Sequence, residues 1–332
     1  MVIDLAPETT MEMSSTRARA ARRGRGKSFR ESLARMWFYR YLYLLMLPGL
    51  LFFLVFAYIP MWGIIIAFQD FHLWQGPLGS PWVGLDNFSR FFSGPYFWRL
   101  LRNTLVISGL NIAIVFPAPI ILALLLNEVR NQAYKRVIQT ISYFPHFISW
   151  VVVGGLILYM FSVNFGLVTN VLAGVGLPPI KVLGSAPAFL PLLIASSIWK
   201  EIGWGAIIYL AAIAGVSPDL YEAAIVDGAN RLQRALYITV PSIAPVIIIM
   251  LILRVGQILN VNFQQILILM GNDASLFEVG DVIDTWVYRA AFFQQQMSMA
   301  TAVGLFKGVI GLVLVYFANR LANRLGERGL WT

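Results

Sequence analysis

The chain has 332 residues, of which 58% are hydrophobic and only 12% are charged, with a formal net charge of +9. Soluble domains carry about a quarter of charged residues, so this composition indicates a protein whose main solvent is lipid. The lack of cysteine excludes a disulfide framework, a cysteine-based zinc site and a thiol nucleophile. The two histidines, His72 and His146, fall in different predicted loops. We therefore predict no catalytic residue and no metal ligand on this chain.

The first forty residues form a strongly basic tail. Nine Lys or Arg side chains lie between residues 17 and 40, against a single acid, Glu31. This pattern is typical of a solvated segment beside anionic lipid. Nucleic-acid binding is the alternative, but no folded domain accompanies the tail, so we predict lipid contact and no nucleic-acid partner.

Six apolar runs follow the tail, each of a length suited to crossing about 30 Å of hydrocarbon. The first is closed by Pro60 and continued by a shorter apolar stretch to residue 68. The third is short and extends into its flanks. The six runs are 41–59, 104–126, 147–161, 189–214, 242–261 and 299–319. The pattern predicts an all-α, multi-pass membrane protein with six transmembrane helices.

The basic residues predict how these helices are oriented. With the N-terminal tail inside, seventeen Lys and Arg residues fall on the inner side and five on the outer side. Basic residues are enriched on the cytoplasmic side of membrane proteins, so both termini are predicted to be cytoplasmic. The predicted domains are a tail at 1–40, a transmembrane domain at 41–320 and a C-terminal tail at 321–332.

The loop between predicted spans four and five, residues 217–241, reads as two short helices joined at a glycine. Ser217 suits a helix cap, Pro218 the first helical position, and Asp219 the positive end of the helix dipole. Gly228 permits an exit with positive φ. A second helix is predicted from about residue 230 to Pro241, which would open the fifth span. The orientation places this 217–241 hairpin in the cytoplasm.

The hairpin contains Glu-Ala-Ala, three further residues and glycine, then Ile and Pro at fixed spacing. Six positions are in register, with Val240 standing where leucine is usual; they are Glu222, Ala223, Ala224, Gly228, Ile238 and Pro241. This stretch resembles the EAA loop of importer permeases of the ATP-binding-cassette (ABC) superfamily. The resemblance implies a type I importer permease whose short helix docks on an ATPase subunit. It implies that the ATPase-coupling residues are Glu222, Ala223, Ala224, Asp227 and Gly228.

The resemblance extends over nearly the whole chain beyond the tail. Segments 83–88, 103–104, 198–204 and 300–307 look like the carbohydrate-importer branch, and most like permeases for large or acidic oligosaccharides such as alginate and pectin fragments. The resemblance implies a bacterial inner-membrane complex with a second similar permease, two ATPase subunits and an extracytoplasmic solute-binding protein. It implies no cofactor on this chain, since ATP and magnesium belong to the ATPase subunits.

Polar residues within the predicted spans mark a substrate pathway, because such groups are costly in lipid. They include amides and an aromatic ring, which suit sugar hydroxyls and pyranose faces. On span five they recur at helical spacing as one polar stripe, with Asn262 and Gln265 beside it. The alternative is that these groups only bond to neighbouring helices or to the partner permease. The predicted pathway residues are Ser197, Lys200, Glu201, Trp204, Arg254, Gln257, Asn260 and Gln264.

Three cations are predicted inside the membrane, namely Lys200, Arg254 and Lys307, against one acid, Glu201. This balance suggests a uronate-containing substrate whose carboxylates meet Lys200 or Arg254. Lys307 is assigned to helix packing instead, because it lies in a stripe of small residues suited to close helix contact. The stripe consists of Ala300, Gly304, Gly308 and Gly311.

Three rival interpretations remain. An ion-coupled secondary sugar transporter would also be multi-pass, but the inverted repeats typical of that class are not seen. A permease of the same class for a non-sugar solute is the second, and a non-transporting anchor or sensor is the third. The mechanism expected for an importer is alternating access, in which closure of the ATPase dimer moves the hairpin and re-orients spans four and five.

Overall fold

The secondary structure of the described residues is helical, and their one isolated β-bridge joins Gln69 to Trp82. The computed structural model describes residues 37–162, 164, 166–178, 181–271, 273–324, 326 and 329–331. The basic tail lies, apart from residues 37–40, outside them. Residues up to Trp62 form one unit and residues from Gly63 onward form a second.

Twelve helices of the described residues are labelled α1 to α12 here. Shorter helical turns lie at Gly76–Gly79, Ala274–Leu276 and Phe277–Gly280. The labelled helices are α1 (Arg40–Phe68), α2 (Asp86–Phe92), α3 (Phe97–Asn127), α4 (Gln132–Phe147), α5 (Trp150–Met160), α6 (Leu167–Gly174), α7 (Ala186–Ala214), α8 (Pro218–Val226), α9 (Arg231–Gly256), α10 (Phe263–Met270), α11 (Ile283–Phe292) and α12 (Met297–Arg324).

Four of these helices, α1, α3, α9 and α12, are long and apolar enough to cross a membrane. Two bent pairs, α4 with α5 at 101° and α7 with α8 at 76°, raise the number of candidate spans to as many as six among the described residues. The all-α, multi-pass prediction is therefore confirmed. Predicted runs 104–126, 189–214 and 299–319 lie inside α3, α7 and α12.

The third predicted span continues into its N-terminal flank, as expected, whereas the fifth has the wrong bounds. The third, 147–161, contains a helix of only 11 residues, α5, which turns sharply away from α4. The fifth, 242–261, begins too late and ends too late, because α9 runs from Arg231 to Gly256. Pro241 therefore lies inside a continuous helix rather than opening a span, and the first run likewise passes through Pro60.

A π-helical segment precedes a proline in three helices. The pairs are Leu54–Tyr58 before Pro60 in α1, Asn111–Val115 before Pro117 in α3, and Ala235–Thr239 before Pro241 in α9. Proline lacks an N–H group, and its ring collides with the carbonyl one turn earlier in a regular α-helix. The wider π turn makes room for the ring, so these helices continue where the sequence suggests a stop.

Helix α7 packs against the cores of the second unit at both of its ends. Near its start, Phe189 and Leu193 join a buried cluster with Ile107 of α3 and Ile266 of α10. Near its end, Tyr209 and Ile213 pack with residues of α3 and α9. A third cluster joins α2, α3, α11 and α12 through Phe91, Leu100, Ile283 and Val303. The arrangement holds α3, α7 and α9 side by side.

Helices α9 and α12 cross at a pair of glycines. A Cβ added to Gly256 would overlap the Val315 side chain, and one added to Gly311 would lie 2.7 Å from the Gly256 carbonyl oxygen. By contrast, a Cβ on Gly304 or Gly308 would meet no other described residue within 4 Å. Only the end of the predicted small-residue stripe therefore makes a close crossing within the described chain.

The Asp281 cluster is a buried ionic group that joins α11 to α3. Asp281, only 1% exposed, accepts bonds of 2.6 Å from Arg289 on both carboxylate oxygens and one of 2.7 Å from Thr285. Arg99 approaches the same carboxylate at 3.7 Å. The side-chain amide of Asn103 donates to the backbone carbonyl of Asp281 at 3.0 Å.

Two further contacts correct the expectations for the C-terminal part. Lys307 is buried and paired with Asp284 of α11, so its charge is balanced by an acid that the sequence analysis did not count. The predicted tail at 321–332 begins as a continuation of α12, and residues 329–331 fold back onto that helix. There, Asn319 donates to the Trp331 carbonyl at 2.9 Å and accepts from the Leu330 N–H at 2.6 Å.

Candidate functional site

The first half of the 217–241 hairpin is the short helix α8. The Ser217 hydroxyl accepts from the Asp219 N–H at 3.3 Å, which caps the start of the helix. At its end Gly228 adopts φ +82°, with the Ala229 N–H bonded to the Ala224 carbonyl at 2.9 Å and the Gly228 N–H to the Ile225 carbonyl at 3.0 Å. This pair of bonds is the Schellman motif, and the predicted helix start and glycine exit are confirmed.

The second half of the hairpin is the first part of α9, which begins with a capping box. The Asn230 side chain accepts from the Gln233 N–H at 2.9 Å, and the Gln233 side chain accepts from the Asn230 N–H at 2.8 Å. The hydroxyls of Tyr221 on α8 and Thr239 on α9 lie 3.0 Å apart. The two helices are therefore linked at both ends, and the hairpin is a defined unit.

The surface of the hairpin is apolar and exposed. Val226 is 87% exposed, and Leu220 and Ile225 are each at least half exposed. Of the predicted coupling residues, Glu222 and Ala223 are exposed. Ala224, Asp227 and Gly228 line a cleft of about 300 Å³ between α8 and the start of α9. Contiguous exposed apolar groups at the tip of a protruding element mark a surface for contact with another molecule.

A larger cavity of about 520 Å³ lies between α3, α7, α9 and α10. It holds six of the eight predicted pathway residues: Ser197, Glu201, Trp204, Arg254, Gln257 and Asn260. The other two, Lys200 and Gln264, do not line it. Further polar lining groups are Ser108, Asn111, Asn262 and Gln265. The cavity therefore combines amides, hydroxyls, the indoles of Trp150 and Trp204, and one charge of each sign.

One wall of the cavity is a break in the fifth span. Helix α9 ends at Gly256, residues 257–262 are non-helical, and Asn262 caps α10 by accepting from the Gln265 N–H at 3.4 Å. The predicted helical stripe from Arg254 to Gln264 is therefore wrong, because no continuous helix connects those residues. Within a membrane, irregular backbone is tolerated where it lines a polar cavity, and the segment 257–262 lines such a cavity.

The break places Gln265, rather than Gln264, toward the cavity. Gln264 is exposed, whereas Gln265 is 4% exposed and donates to the Leu193 carbonyl and the Ser196 hydroxyl, both at 2.8 Å. Its side-chain oxygen accepts from Ser197 at 3.1 Å. This network fixes α10 against α7 and accounts for the polar face of α7 near residue 197.

Arg254 lies at the last turn of α9, beside the break. Its guanidinium is 3.4 Å from the side-chain oxygen of Asn111 on α3, and the neighbouring Ser108 hydroxyl donates to the Ile258 carbonyl within the break. Ser108 and Asn111 were not among the predicted pathway residues. The signal was available, since two polar residues three apart in an otherwise apolar span share one helix face.

Lys200 points away from the cavity. Its side chain is 5% exposed and donates to the backbone carbonyls of His146 at 2.6 Å and Pro145 at 3.4 Å. The Lys200 ammonium also lies 5.5 Å from the Trp150 ring centroid. Lys200 was expected to meet a substrate in this cavity. That expectation is wrong, because its ammonium group is hydrogen-bonded to backbone carbonyls at the α4–α5 bend.

A multi-pass helical chain with a polar cavity between its helices, and an exposed helical hairpin that joins two of those helices, has the form of a permease subunit of a membrane transporter. The chain belongs to the binding-protein-dependent transport system inner membrane component family, whose model matches residues 115–328. That stretch includes the hairpin and most of the cavity wall. The importer class expected from the EAA resemblance is thereby confirmed.

Relatives of known sequence support the same class. The chain is 50% identical to the polygalacturonan/rhamnogalacturonan transport system permease protein YteP of Bacillus subtilis, over 88% of this chain and 90% of the relative. It is 47% identical to Protein LplB of the same organism, over 93% and 95%. Nothing in these matches points to an ion-coupled carrier.

Solved structures give the same result. A chain of a bacterial ABC transporter that imports the acidic polysaccharide alginate superimposes with a TM-score of 0.80 at 41% identity, covering 89% of this chain and 98% of that one. A second, from a bacterial alginate ABC transporter bound to a periplasmic protein carrying alginate pentasaccharide, gives 0.81 at 40% identity, covering 91% and 99%. The protein is therefore a multi-pass membrane translocation subunit of an ABC importer.

Proposed function

We propose that this permease imports an oligosaccharide that contains uronate sugars. The relatives above are described as transporting polygalacturonan or alginate, and both polymers are built from acidic sugars. The observation that carries the proposal is the cavity itself, where Arg254 lies among amide side chains and the Trp204 indole. A planar guanidinium suits a carboxylate, amides suit sugar hydroxyls, and an indole suits a pyranose face.

Arg254 is the cation best placed to meet a substrate carboxylate. Lys307 is paired with Asp284, and Lys200 is bonded to backbone carbonyls, so neither is available to a substrate carboxylate in this arrangement. Among the described lining residues, the charged groups are Arg254 and Glu201. We therefore assign contact with the uronate to Arg254.

The test compares Arg254→Gln with Arg254→Lys in cells that carry the complete transporter. The probes are an oligogalacturonate and its methyl ester, which share rings and length but differ in charge. For Arg254→Gln we expect the KM of the acidic probe to rise about tenfold or more, since a charge-assisted bond is lost, with little change for the ester. Arg254→Lys should retain part of the preference. Equal losses for both probes in Arg254→Gln would contradict the assignment.

The complex proposed around this chain contains a second similar permease, two ATPase subunits that bind ATP and magnesium, and an extracytoplasmic solute-binding protein. The 217–241 hairpin is the contact with the ATPase, with Glu222, Ala223, Ala224, Asp227 and Gly228 at its centre. Its exposed apolar side chains and its rigid turns support this role. Closure of the ATPase dimer would move α8, and the attached α7 and α9 would re-orient around the cavity.

Orientation is tested by labelling, which the lack of cysteine makes simple. Ala223→Cys and Leu78→Cys each introduce one thiol at an exposed position, and Leu78 is 95% exposed. With both termini and the hairpin cytoplasmic, a membrane-impermeant maleimide should label Leu78→Cys on intact cells and Ala223→Cys only in inverted vesicles. Cross-linking of Ala223→Cys to the ATPase should follow. Labelling of Ala223→Cys from outside would overturn the coupling role.

A further inference from the structure

A group of four residues lies where the α4–α5 bend meets α7, and we call it the His146 cluster: His146, Lys200, Glu201 and Trp204. The His146 ring nitrogen Nδ1 is 2.8 Å from the Glu201 carboxylate. The His146 and Trp204 rings are stacked, with centroids 4.5 Å apart and planes 1° from parallel. Glu201 and Trp204 are three residues apart on α7, so one imidazole contacts both side chains.

Helix α7 fixes the position of His146 by packing closely against the backbone of α4 and the bend that follows it. A Cβ on Gly203 would overlap the backbone of Ser142 and Tyr143, so the last turns of α4 lie directly against α7 at this point. The bend after α4 exposes carbonyl groups that a continuing helix would have paired, and the Lys200 ammonium donates to two of them. The position of the imidazole is therefore set by Gly203 and Lys200 together.

The two halves of the cluster differ in their access to the cavity. Glu201 and Trp204 line the cavity, whereas His146 and Lys200 do not. His146 covers one face of the Trp204 indole, and Phe147 meets the ring edge-on at 5.6 Å. One face of the indole is thereby backed by protein, so the ring is held as a platform for a sugar in the cavity.

The electrostatic consequence concerns Glu201. A carboxylate on the cavity wall repels an acidic sugar, and the repulsion is stronger where water is scarce. The His146 ring nitrogen at 2.8 Å and the Lys200 ammonium at 3.8 Å satisfy and screen that carboxylate from the side opposite the cavity. The remaining charged lining group among the described residues, Arg254, then dominates the potential that the sugar meets.

We propose that His146 is a specificity-determining positioning residue. It binds the Glu201 carboxylate, so that an acidic sugar is admitted, and it backs the Trp204 ring, so that the sugar is stacked. The inference rests on the proposed uronate substrate and adds two separable roles for a residue that does not line the cavity. One role depends on substrate charge and the other does not.

Three variants separate these roles, measured as uptake of the oligogalacturonate and its methyl ester by cells with the complete transporter. His146→Phe keeps a ring against Trp204 but removes the bond to Glu201. We expect its KM for the acidic probe to rise about tenfold, with the maximal rate and the ester little changed. The second variant, His146→Phe with Glu201→Gln, removes the unscreened charge and should restore the acidic KM to within about threefold of the wild type.

The third variant, His146→Gln, keeps a hydrogen-bonding group for Glu201 but removes the stacked ring. It should raise the KM of both probes by a similar factor, about threefold to tenfold, because the platform serves both sugars. A merely structural role for His146 would reduce the amount of inserted protein and the maximal rate. It would not produce a charge-dependent KM that a second substitution at Glu201 reverses.

Two outcomes would overturn the inference. If His146→Phe affects both probes equally, or if Glu201→Gln fails to restore the acidic KM, the charge-screening role is wrong, while wild-type uptake of the acidic probe leaves the proposed function intact. If the wild-type transporter takes up neither probe, the proposed substrate class is wrong and this inference fails with it.

Discussion

The 217–241 hairpin and the cavity differ in how their geometry is specified. The hairpin is built from contacts between residues close in sequence, such as the Ser217 cap and the Gly228 exit. The cavity is built from contacts between distant residues, such as Arg254 with Asn111 and His146 with Glu201. Under the proposed mechanism, the hairpin would keep its shape while it moves, whereas the cavity would change shape as its helices shift. This division suits a subunit in which one part transmits motion and another responds to it.

The largest effect should come from breaking the hairpin at Gly228. Proline cannot adopt φ +82° and cannot donate the N–H that bonds Ile225, so Gly228→Pro should abolish transport while membrane insertion persists. Gly176→Pro is the matched control. Gly176 has φ +74°, its N–H bonds Ala173 at 3.1 Å, and it ends α6 outside the hairpin. Substrate uptake and the amount of inserted protein are the measurements, and equal uptake in the two variants would refute the special role of the hairpin.

The next effect concerns the long-range contacts around the cavity helices. Asp281→Ala removes the buried carboxylate that pairs with the partly buried Arg289. The expected loss of stability is about 3 kcal/mol, at the low end for breaking a buried pair, because Arg289 keeps some contact with water. Asp86→Ala removes an exposed pair with Arg90 on one helix and should cost less than about 1 kcal/mol. Thermal unfolding of the purified subunit in detergent measures both, and similar Tm values for the two variants would contradict the importance of the buried cluster.

A smaller effect is expected at the crossing of α9 and α12. In Gly311→Ala the new methyl group would lie 2.7 Å from a backbone oxygen of Gly256, which cannot move cheaply, so about 1–3 kcal/mol should be lost. Gly308→Ala, one turn away on the same helix, meets no described residue within 4 Å and should leave the Tm unchanged in the purified subunit. The idea fails if Gly308→Ala is the more damaging of the two.

The smallest effect is expected from removing a helix cap. Ser217→Ala loses the bond to the Asp219 N–H and should weaken α8 by about 1 kcal/mol. Hydrogen exchange of the amides of α8 should become faster, with those of α10 unchanged, and uptake should fall only modestly. Unchanged protection of α8 would show that the cap contributes nothing.

The two regions also differ in how well the sequence predicts them. Ser217, Pro218, Gly228 and Asn230 have local preferences that specify their own turns, so the hairpin geometry follows from short-range rules. The break at 257–262 does not follow from such rules. Gly256 ends α9 just before it, and the glycine there is explained by the approach of Val315 from another helix, not by a local turn. A helical stripe drawn through that break therefore points to Gln264 instead of Gln265, although Asn260 does line the cavity.

The direction of the Lys200 side chain could not be predicted from the sequence either. Spacing along α7 places it near Ser197 and Trp204, but its direction is decided by unpaired carbonyls at residues 145–146. Lys307 bonds to a neighbouring helix, as expected, but its partner Asp284 was not foreseen, since Asp284 lies in a segment that no predicted span included. Sequence reasoning thus identified six of the cavity residues but could not assign the partners of the buried cations.

The π-helical segment at residues 235–239 sets how the hairpin is rotated about the axis of α9 relative to the cavity. An α-helix advances about 100° per residue, so the one extra residue in a π turn rotates everything before it by that angle relative to everything after it. Removing one residue there would convert the turn to a regular helix and swing α8 around the axis of α9. The rotation of α8 about the axis of α9, relative to the cavity, is therefore set by one extra residue ahead of Pro241.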